Sequence, residues 1–374
     1  MSSPPYKLRL ISFSDVHLGC ARVSTPRIIA NLDRELCNDA VLRDLDLIVL
    51  AGDLYDRLLS MNYKHLPIID RWIARFLRLC KKHDVVVRIL EGTPSHDWKQ
   101  PHRFLTINEV GEIGADLIYI DELTIRYEER FNMNFLFVPD AIHHDPNVIL
   151  AQCHELLAAK RLDKVDFAFM HGQFDFQLPE HLMLPKHDSQ AYMDIVKYLI
   201  FVGHVHTYSY KERIFAQGSF DRTGHGQEEP KGYLRATLYE NDTYDVKFVE
   251  NKEAHQFVTV DCTGLDIDAT FQKAIEAAKN ADDTAFIRIQ ADHGNPILRS
   301  QDALYLQFPT VVWSTKENKR AKESSFDRLE EKLDYVPVII NRENVSALLH
   351  ERIQPLGLDA VVMESINRQL AELA

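Results

Sequence analysis

The sequence predicts an α/β fold with more than one sheet, and three observations carry that reading. Apolar runs recur along the chain: ISFS, LIVLA, VVVRILEG, VDFAFM and YLIFV. A continuous run of this kind is a strand buried on both faces. Strand and helix then alternate at the start. A strand at about 8–13 precedes a helix with Ile28, Ile29, Leu32, Leu36 and Val41 on a helical period. Strand 46–51 precedes a second helix, about 66–82, with Ile69, Ile73, Phe76 and Cys80 on one face, and strand 85–91 follows. This β-α-β-α-β order predicts parallel strands with right-handed crossovers. Finally, strands near 117–120, 123–128, 134–138, 165–170, 198–202, 212–217, 233–239 and 244–250 outnumber the helices, which calls for a second sheet.

The texture changes near residue 250. QFVTVDC, DATFQKAIEAAKN and AFIRIQA read as strand, helix, strand, and further strands are expected at 303–307 and 309–314. KENKRAKESS, 316–325, has no periodic apolar face and reads as a linker or exposed helix start. Beyond it Phe326, Leu329 and Leu333, then Val345–Ile353 and Ala360–Leu373, return to a helical period. The expected division is 1–250, 251–315, and a linker with a helical tail over 316–374.

With 374 residues the chain has room for two domains, or one large domain with additions. Hydrophobic residues make up 45% and charged residues 26%, the balance of a soluble globular protein. No apolar run reaches the length of a membrane span, and MSSPPYKLRL lacks the layout of a signal peptide. The five cysteines are scattered with no CxxC pair, so reduced thiols and a cytoplasmic location are expected. A net charge of -13 argues mildly against a dedicated nucleic-acid binder. Bound metals would neutralise part of it, and local basic patches or a basic partner could still hold a phosphate backbone.

Each of the five apolar runs leads into metal-ligand residues: Asp15-Val16-His17, Gly52-Asp53-Leu54-Tyr55-Asp56, Ser95-His96-Asp97, His171-Gly172 and Gly203-His204-Val205-His206. In open α/β folds ligands bind beyond the carboxyl ends of the strands, so these side chains would converge at one sheet edge. Carboxylates mixed with several imidazoles suit Mn, Fe or Zn better than Ca or Mg. Taken singly each residue has a plainer reading: Asp15 could cap the helix after it, and His171 could be a hydrogen-bonded core histidine. His143 and His144 read as surface residues, and Arg222 as half of an ion pair.

In this order the motifs resemble those of the calcineurin-like metallophosphoesterases: D-x-H, G-D-x-x-D, G-N-H-[DE], a lone His, and G-H-x-H. The third departs from the pattern, because Gly92-Thr93-Pro94-Ser95-His96-Asp97 has Ser95 before the His where that family has Asn. The segment FAQGSFDRTGHGQEEPKGY, 215–233, is similar to the SbcD branch, the nuclease subunit of SbcCD-type DNA-repair complexes.

That resemblance implies two stacked mixed sheets flanked by helices, with a smaller α/β capping domain. It implies two divalent ions, Mn foremost and Mg, Fe or Zn as alternatives, one held by Asp15, His17, Asp53 and His206 and the other by Asp53, Ser95, His171 and His204. A hydroxide activated by both ions would attack phosphorus in line, with His96 as general acid and Asp97 orienting its ring. Asp56 would support the ligands by hydrogen bonding. A Ser95 hydroxyl is a shorter and weaker arm than Asn, so weaker occupancy of the second ion is expected. Lys64, His65, Lys99, His102 and Arg103 are nominated for DNA contact. The implied activity is Mn-dependent exonuclease and endonuclease cleavage in DNA repair or recombination. The implied partners are DNA, an SbcC-like coiled-coil ATPase docked by the tail, and a second copy within a heterotetramer. A phosphoesterase acting on nucleotides or phosphoproteins, and a weakly active scaffold, are the competing readings.

Overall fold

The computed structural model describes residues 5–140, 145–179 and 184–318. The expected helical tail lies outside the described residues, as do His143 and His144. In chain order the elements are β1 (Tyr6–Phe13), α1 (Thr25–Leu36), α2 (Asp39–Leu42), β2 (Leu47–Ala51), α3 (Leu66–Lys82), β3 (Val86–Leu90), α4 (Pro94–Asp97), α5 (His102–Val110) and β4 (Leu117–Ile120). Next come β5 (Thr124–Glu128), β6 (Met133–Val138), α6 (Pro146–Lys160), β7 (Val165–Gly172), α7 (Ser189–Ile195), β8 (Val196–His204), β9 (Ser209–Lys211) and β10 (Ile214–Ala216). The last are β11 (Gly232–Tyr239), β12 (Tyr244–Glu250), β13 (Phe257–Asp261), α8 (Ile267–Lys279), β14 (Phe286–Asp292), α9 (Asp302–Gln307) and β15 (Val312–Asn318).

These strands form two six-stranded mixed sheets, ordered β12-β11-β1-β2-β3-β4 and β5-β6-β7-β8-β10-β9, and a parallel three-stranded sheet, β13-β14-β15. Within the first sheet β1 to β4 run parallel, and within the second β6, β7, β8 and β10 do. Alternation along each strand decides the layers. Leu47 and Val49 of β2 join Phe135, Phe137, Phe167 and Phe169 in a core between the two sheets. Their neighbours Ile48 and Leu50 face the other way, onto Ile28 and Leu32 of α1 and Ile69, Ile73 and Phe76 of α3. Ala168 and Met170 of β7 pack outward on Cys153 and Leu157 of α6 and Tyr192 of α7. The result is an α+β sandwich, helix–sheet–sheet–helix.

Helix starts follow their local chemistry. Ser24 accepts from Arg27 N with Pro26 in the first turn, and Asp145 accepts from Asn147 N with Pro146 behind it. Within the third sheet's layer two expectations fail: 303–307 is the helix α9, not a strand, and Lys316–Asn318, expected to begin a linker, complete β15 in register with Gln290–Asp292. The sequence ALYLQ alternates like a half-buried strand, but of its large apolar residues only Leu304 is buried, while Tyr305 and Leu306 are exposed. A single burial every turn is a helical demand, and the period-2 pattern there is accidental. Arg27 of α1 reaches Thr284 Oγ1 and Asp282 Oδ2, both at 2.8 Å, so this third sheet is tied to the first helix. All five cysteines are free and buried. Among the described residues no helix is long and apolar enough to cross a membrane.

Candidate metal centre

The carboxyl ends of both large sheets meet where the predicted ligands lie. The approach is allowed by glycine. A Cβ on Gly203 would stand 2.5 Å from Ala51 O and 2.6 Å from Ser14 Cβ, and one on Gly92 would stand 2.0 Å from Asp53 N. Any side chain at either position would separate the two strand edges. The loop after β1 is laid along the loop after β2: Asp15 N bonds Gly52 O at 3.1 Å, Val16 N bonds Asp53 O at 2.9 Å, and Leu18 N bonds Leu54 O at 2.9 Å. This holds Asp15, His17 and Asp53 in left-handed backbone, with φ of 52, 54 and 51°. Such strain at non-glycine residues persists only where surrounding bonds over-determine it, and it clusters at functional sites.

Three groups of ligand atoms result, each within 4.8 Å: Asp15, His17 and His206; Asp53, His171 and His204; and, between them, His17, Asp53 and His96. In the first, His17 Nε2 and His206 Nε2 face each other at 3.0 Å, and His206 Nε2 lies 3.6 Å from Asp15 Oδ1. Asp15 is fully buried; it accepts from Ser14 Oγ and from His204 N. In the second, His171 Nε2 is 3.3 Å from Asp53 Oδ1 while its Nδ1 donates to Ala51 O at 2.7 Å. Protonation differs between the groups. Burial pushes the His17 pKa down to about 4. Burial also works to lower His171, but the Asp53 carboxylate beside it outweighs that and holds it up at about 10. Burial works to raise Asp53, yet the paired His171 holds it well below the usual carboxylate range.

The third motif departs from expectation at Ser95. Ser95 is exposed, and its carbonyl accepts the Trp98 indole N–H at 2.7 Å. The group that enters the second cluster is Thr93. Its N donates to Asp53 Oδ1 at 2.6 Å, and its Oγ1 lies 3.3 Å from Asp53 Oδ2, 3.4 Å from His171 Nε2 and 3.4 Å from His204 Nδ1. The local reason is Pro94. A residue before proline is kept out of helical backbone, so α4 starts at Pro94 and Thr93 stays extended at φ -57°, ψ 127°. It holds the N-cap position without making a cap bond, which frees its hydroxyl for the cluster. Pro94 and Ser95 are then carried outward in the helical turn. Counting forward from Gly92, rather than back from His96, is the signal that would have found Thr93.

Asp97 is also corrected. It is fully buried, but its Oδ1 accepts from Tyr55 N at 2.9 Å and its Oδ2 from Gly92 N at 2.8 Å. Both oxygens are taken by backbone amides, so Asp97 fastens the second and third motif loops together and does not orient His96. The His96 ring is oriented instead by the Asp56 carbonyl, which accepts from Nδ1 at 2.8 Å. That ring lies edge-on to His17, 5.0 Å between centroids, and His96 also forms a ligand-spaced group with His17 and Asp53. The Asp56 carboxylate stands 3.5 Å from His17 Nδ1, which has no hydrogen-bond partner among the described residues.

The GSFDRTGHGQEEPKGY segment folds against this cluster. Gln227 Oε1 accepts from Thr223 N and Oγ1, which turns its Nε2 to donate to His206 Nδ1 at 2.8 Å. Lys231, 1% exposed, donates to His206 O and Glu229 Oε1. Arg222 bonds the backbone carbonyls of Glu228, Glu229 and His255, a stapling role rather than an ion pair. Gln227 and Lys231 are positioning residues that the motif pattern did not single out. Of the residues nominated for DNA, Arg103 is paired with Asp70 and Lys99 with Asp121 at 3.2 Å. His65 lies edge-on to Tyr63 and His102 to Tyr119, while Lys64 is exposed.

No protein-family model and no curated protein matches the chain. One of the crystal structures that match aligns over 64% of this chain and 99% of its own, at 10% sequence identity and a TM-score of 0.36. A score that low carries no argument here. The buried His and Asp groupings can hold a metal ion on their own chemistry. Two carboxylates are buried among imidazoles, and facing ring nitrogens such as those of His17 and His206 suit a shared cation.

Proposed function

We propose that the chain is a metal-dependent phosphodiesterase whose substrate is DNA. The observation that carries this reading is the pair of buried carboxylate–imidazole groups, Asp15–His17–His206 and Asp53–His171–His204, set side by side beneath the half-buried His96. Asp15, His17 and His206 would hold one ion. Asp53, His171 and His204 would hold a second, with the Thr93 hydroxyl in the place expected of Ser95. Divalent ions bound there, Mn by preference, would activate a water and take up charge from a phosphate. The protein supplies the rest. The two sheet edges fix the ligands, and Gln227 and Lys231 hold the His206 loop in place. His96, fixed at Nδ1 by the Asp56 carbonyl, keeps Nε2 as the position from which a proton passes to a leaving oxygen. DNA as substrate and an SbcC-like ATPase as partner enter through the resemblance of the motifs and of the 215–233 segment.

The test is hydrolysis by purified protein of single- and double-stranded DNA, of bis(p-nitrophenyl) phosphate and of p-nitrophenyl phosphate, with manganese and with chelator. Cleavage of DNA and of the diester in manganese, abolished by chelator, is expected. Activity confined to the monoester would replace this reading with that of a phosphomonoesterase.

A further inference from the structure

We propose that Trp98 is a stacking platform for a nucleobase of a single strand, in the turn that follows His96. This rests on the phosphodiesterase reading and adds how the strand is held. The chain has three tryptophans: Trp72 and Trp313 are 2% and 4% exposed, while Trp98 is 55% exposed, two residues after His96.

Its presentation is built, not incidental. Trp98 and Lys99 are both in left-handed backbone, at φ 50 and 58°. The turn is fixed by the indole N–H bonded to Ser95 O at 2.7 Å and by Lys99 N bonded to Glu91 Oε1 at 2.8 Å. Gln100 clamps the loop after β2 to this turn: its Oε1 accepts from Leu59 N at 2.8 Å, and its Nε2 donates to Arg57 O and Asp97 O. The clamped loop carries further exposed apolar side chains, Leu58 at 59% and Met61 at 87%. With its N–H edge bonded to the backbone, the indole has its faces left for a ligand.

The charge pattern favours this mode of holding. Lys99 and Arg103 beside the turn are already paired with Asp121 and Asp70, and the whole chain carries a net charge of -13. Exposed Arg57 and Lys64 in the clamped loop add local positive charge, but charge alone does not distinguish a base-bearing strand from an abasic one. Stacking needs only the π-face that every base has and is indifferent to the protein's charge.

Because the other two tryptophans are buried, quenching of the long-wavelength part of the intrinsic emission reports Trp98. The experiment uses full-length protein in chelator, titrated with oligothymidylate of about ten nucleotides and with an abasic strand of equal length and charge. Oligothymidylate should quench the emission and bind about tenfold more tightly than the abasic strand, the scale of one stacked base. Trp98→Ala should lose that tenfold preference and Trp98→Phe should keep most of it. The blue emission of Trp72 and Trp313 verifies that each variant is folded. Equal binding of the two strands by the wild-type protein, or an unchanged preference in Trp98→Ala, would overturn the proposal. Base-dependent quenching without any diester hydrolysis in manganese would instead sink the phosphodiesterase reading and leave the stacking site standing.

Discussion

The two sheets deliver their ligands in different ways. On the first sheet Asp15, His17 and Asp53 lie beyond the ends of β1 and β2, in left-handed backbone fixed by loop-to-loop hydrogen bonds. On the second, His171 lies within β7 and His204 ends β8, placed by strand register, with His171 paired to Gly203 and Gly172 to His204. Of the second sheet's ligands only His204, the last residue of β8, has unusual backbone, at φ 102°, while His206 follows the strand in a loop held by Gln227 and Lys231. A ligand in a sheet ladder inherits the sheet's rigidity. A ligand in a loop needs its neighbours to hold a conformation that costs about 1–3 kcal/mol per residue. Accordingly Asp53 is held by the Thr93 amide and the close packing of Gly92, while His171 is held by its Nδ1 bond to Ala51 O with Gly52 packed against its ring.

The strongest way to break this comparison is to remove the residue that faces both groups. Asp53→Ala should lose metal binding and activity together. His96→Ala should keep metal binding and lose about 10²–10⁴-fold in rate, as expected for a removed acid. Metal titration by calorimetry beside diester hydrolysis separates the two. Loss of metal from His96→Ala would show that the His17–Asp53–His96 group is the occupied one.

A smaller effect sharpens the role of the third motif. Thr93→Ala should weaken metal binding at the second group by about 10–100-fold, the range found when groups supporting a metal's ligands are removed. Ser95→Ala, at an exposed position, should bind metal as the wild type does. The same calorimetric titration decides it, and the reverse ranking would return Ser95 to the ligand set.

The smallest effect probes the apolar cover of the second half. His187 is buried against Phe174 and Tyr192, with ring centroids 5.7 and 5.3 Å away, and its Nδ1 has no hydrogen-bond partner among the described residues. Burial lowers its pKa to about 4. The unfolded chain therefore takes up this proton first as pH falls. Stability is unaffected by His187 above about pH 6.5, falls between about 6.5 and 4, and levels off below, a loss of about 3 kcal/mol for this group. His187→Phe should lose that share of the acid sensitivity. Urea midpoints at pH 7 and 4.5 measure it, and an equal shift in wild type and variant would remove His187 from the account.

Much of this molecule was legible in its residues. Apolar runs such as LIVLA and VDFAFM read as strands covered on both faces, because they are continuous, short and bounded by turn residues, and both are strands here. Alternation of those runs with amphipathic helices required parallel strands. Parallel strands put Asp15, Asp53, His171 and His204 at one edge, and the two ligand groups are there. What the residues could not decide was which group in a short irregular turn points inward. Thr93 and Ser95 offer the same hydroxyl two positions apart. Only the close packing of Gly92 on Asp53, and the start of α4 at Pro94, turn one into the cluster and the other into water. Asp97 likewise reads as a partner for its neighbour His96, but the Tyr55 amide from the second motif loop and the Gly92 amide from its own claim it first. Periodicity is a property of the chain taken locally, so sequence suffices for the elements. Side-chain direction in a turn depends on groups distant in sequence, and tertiary structure alone brings those within reach.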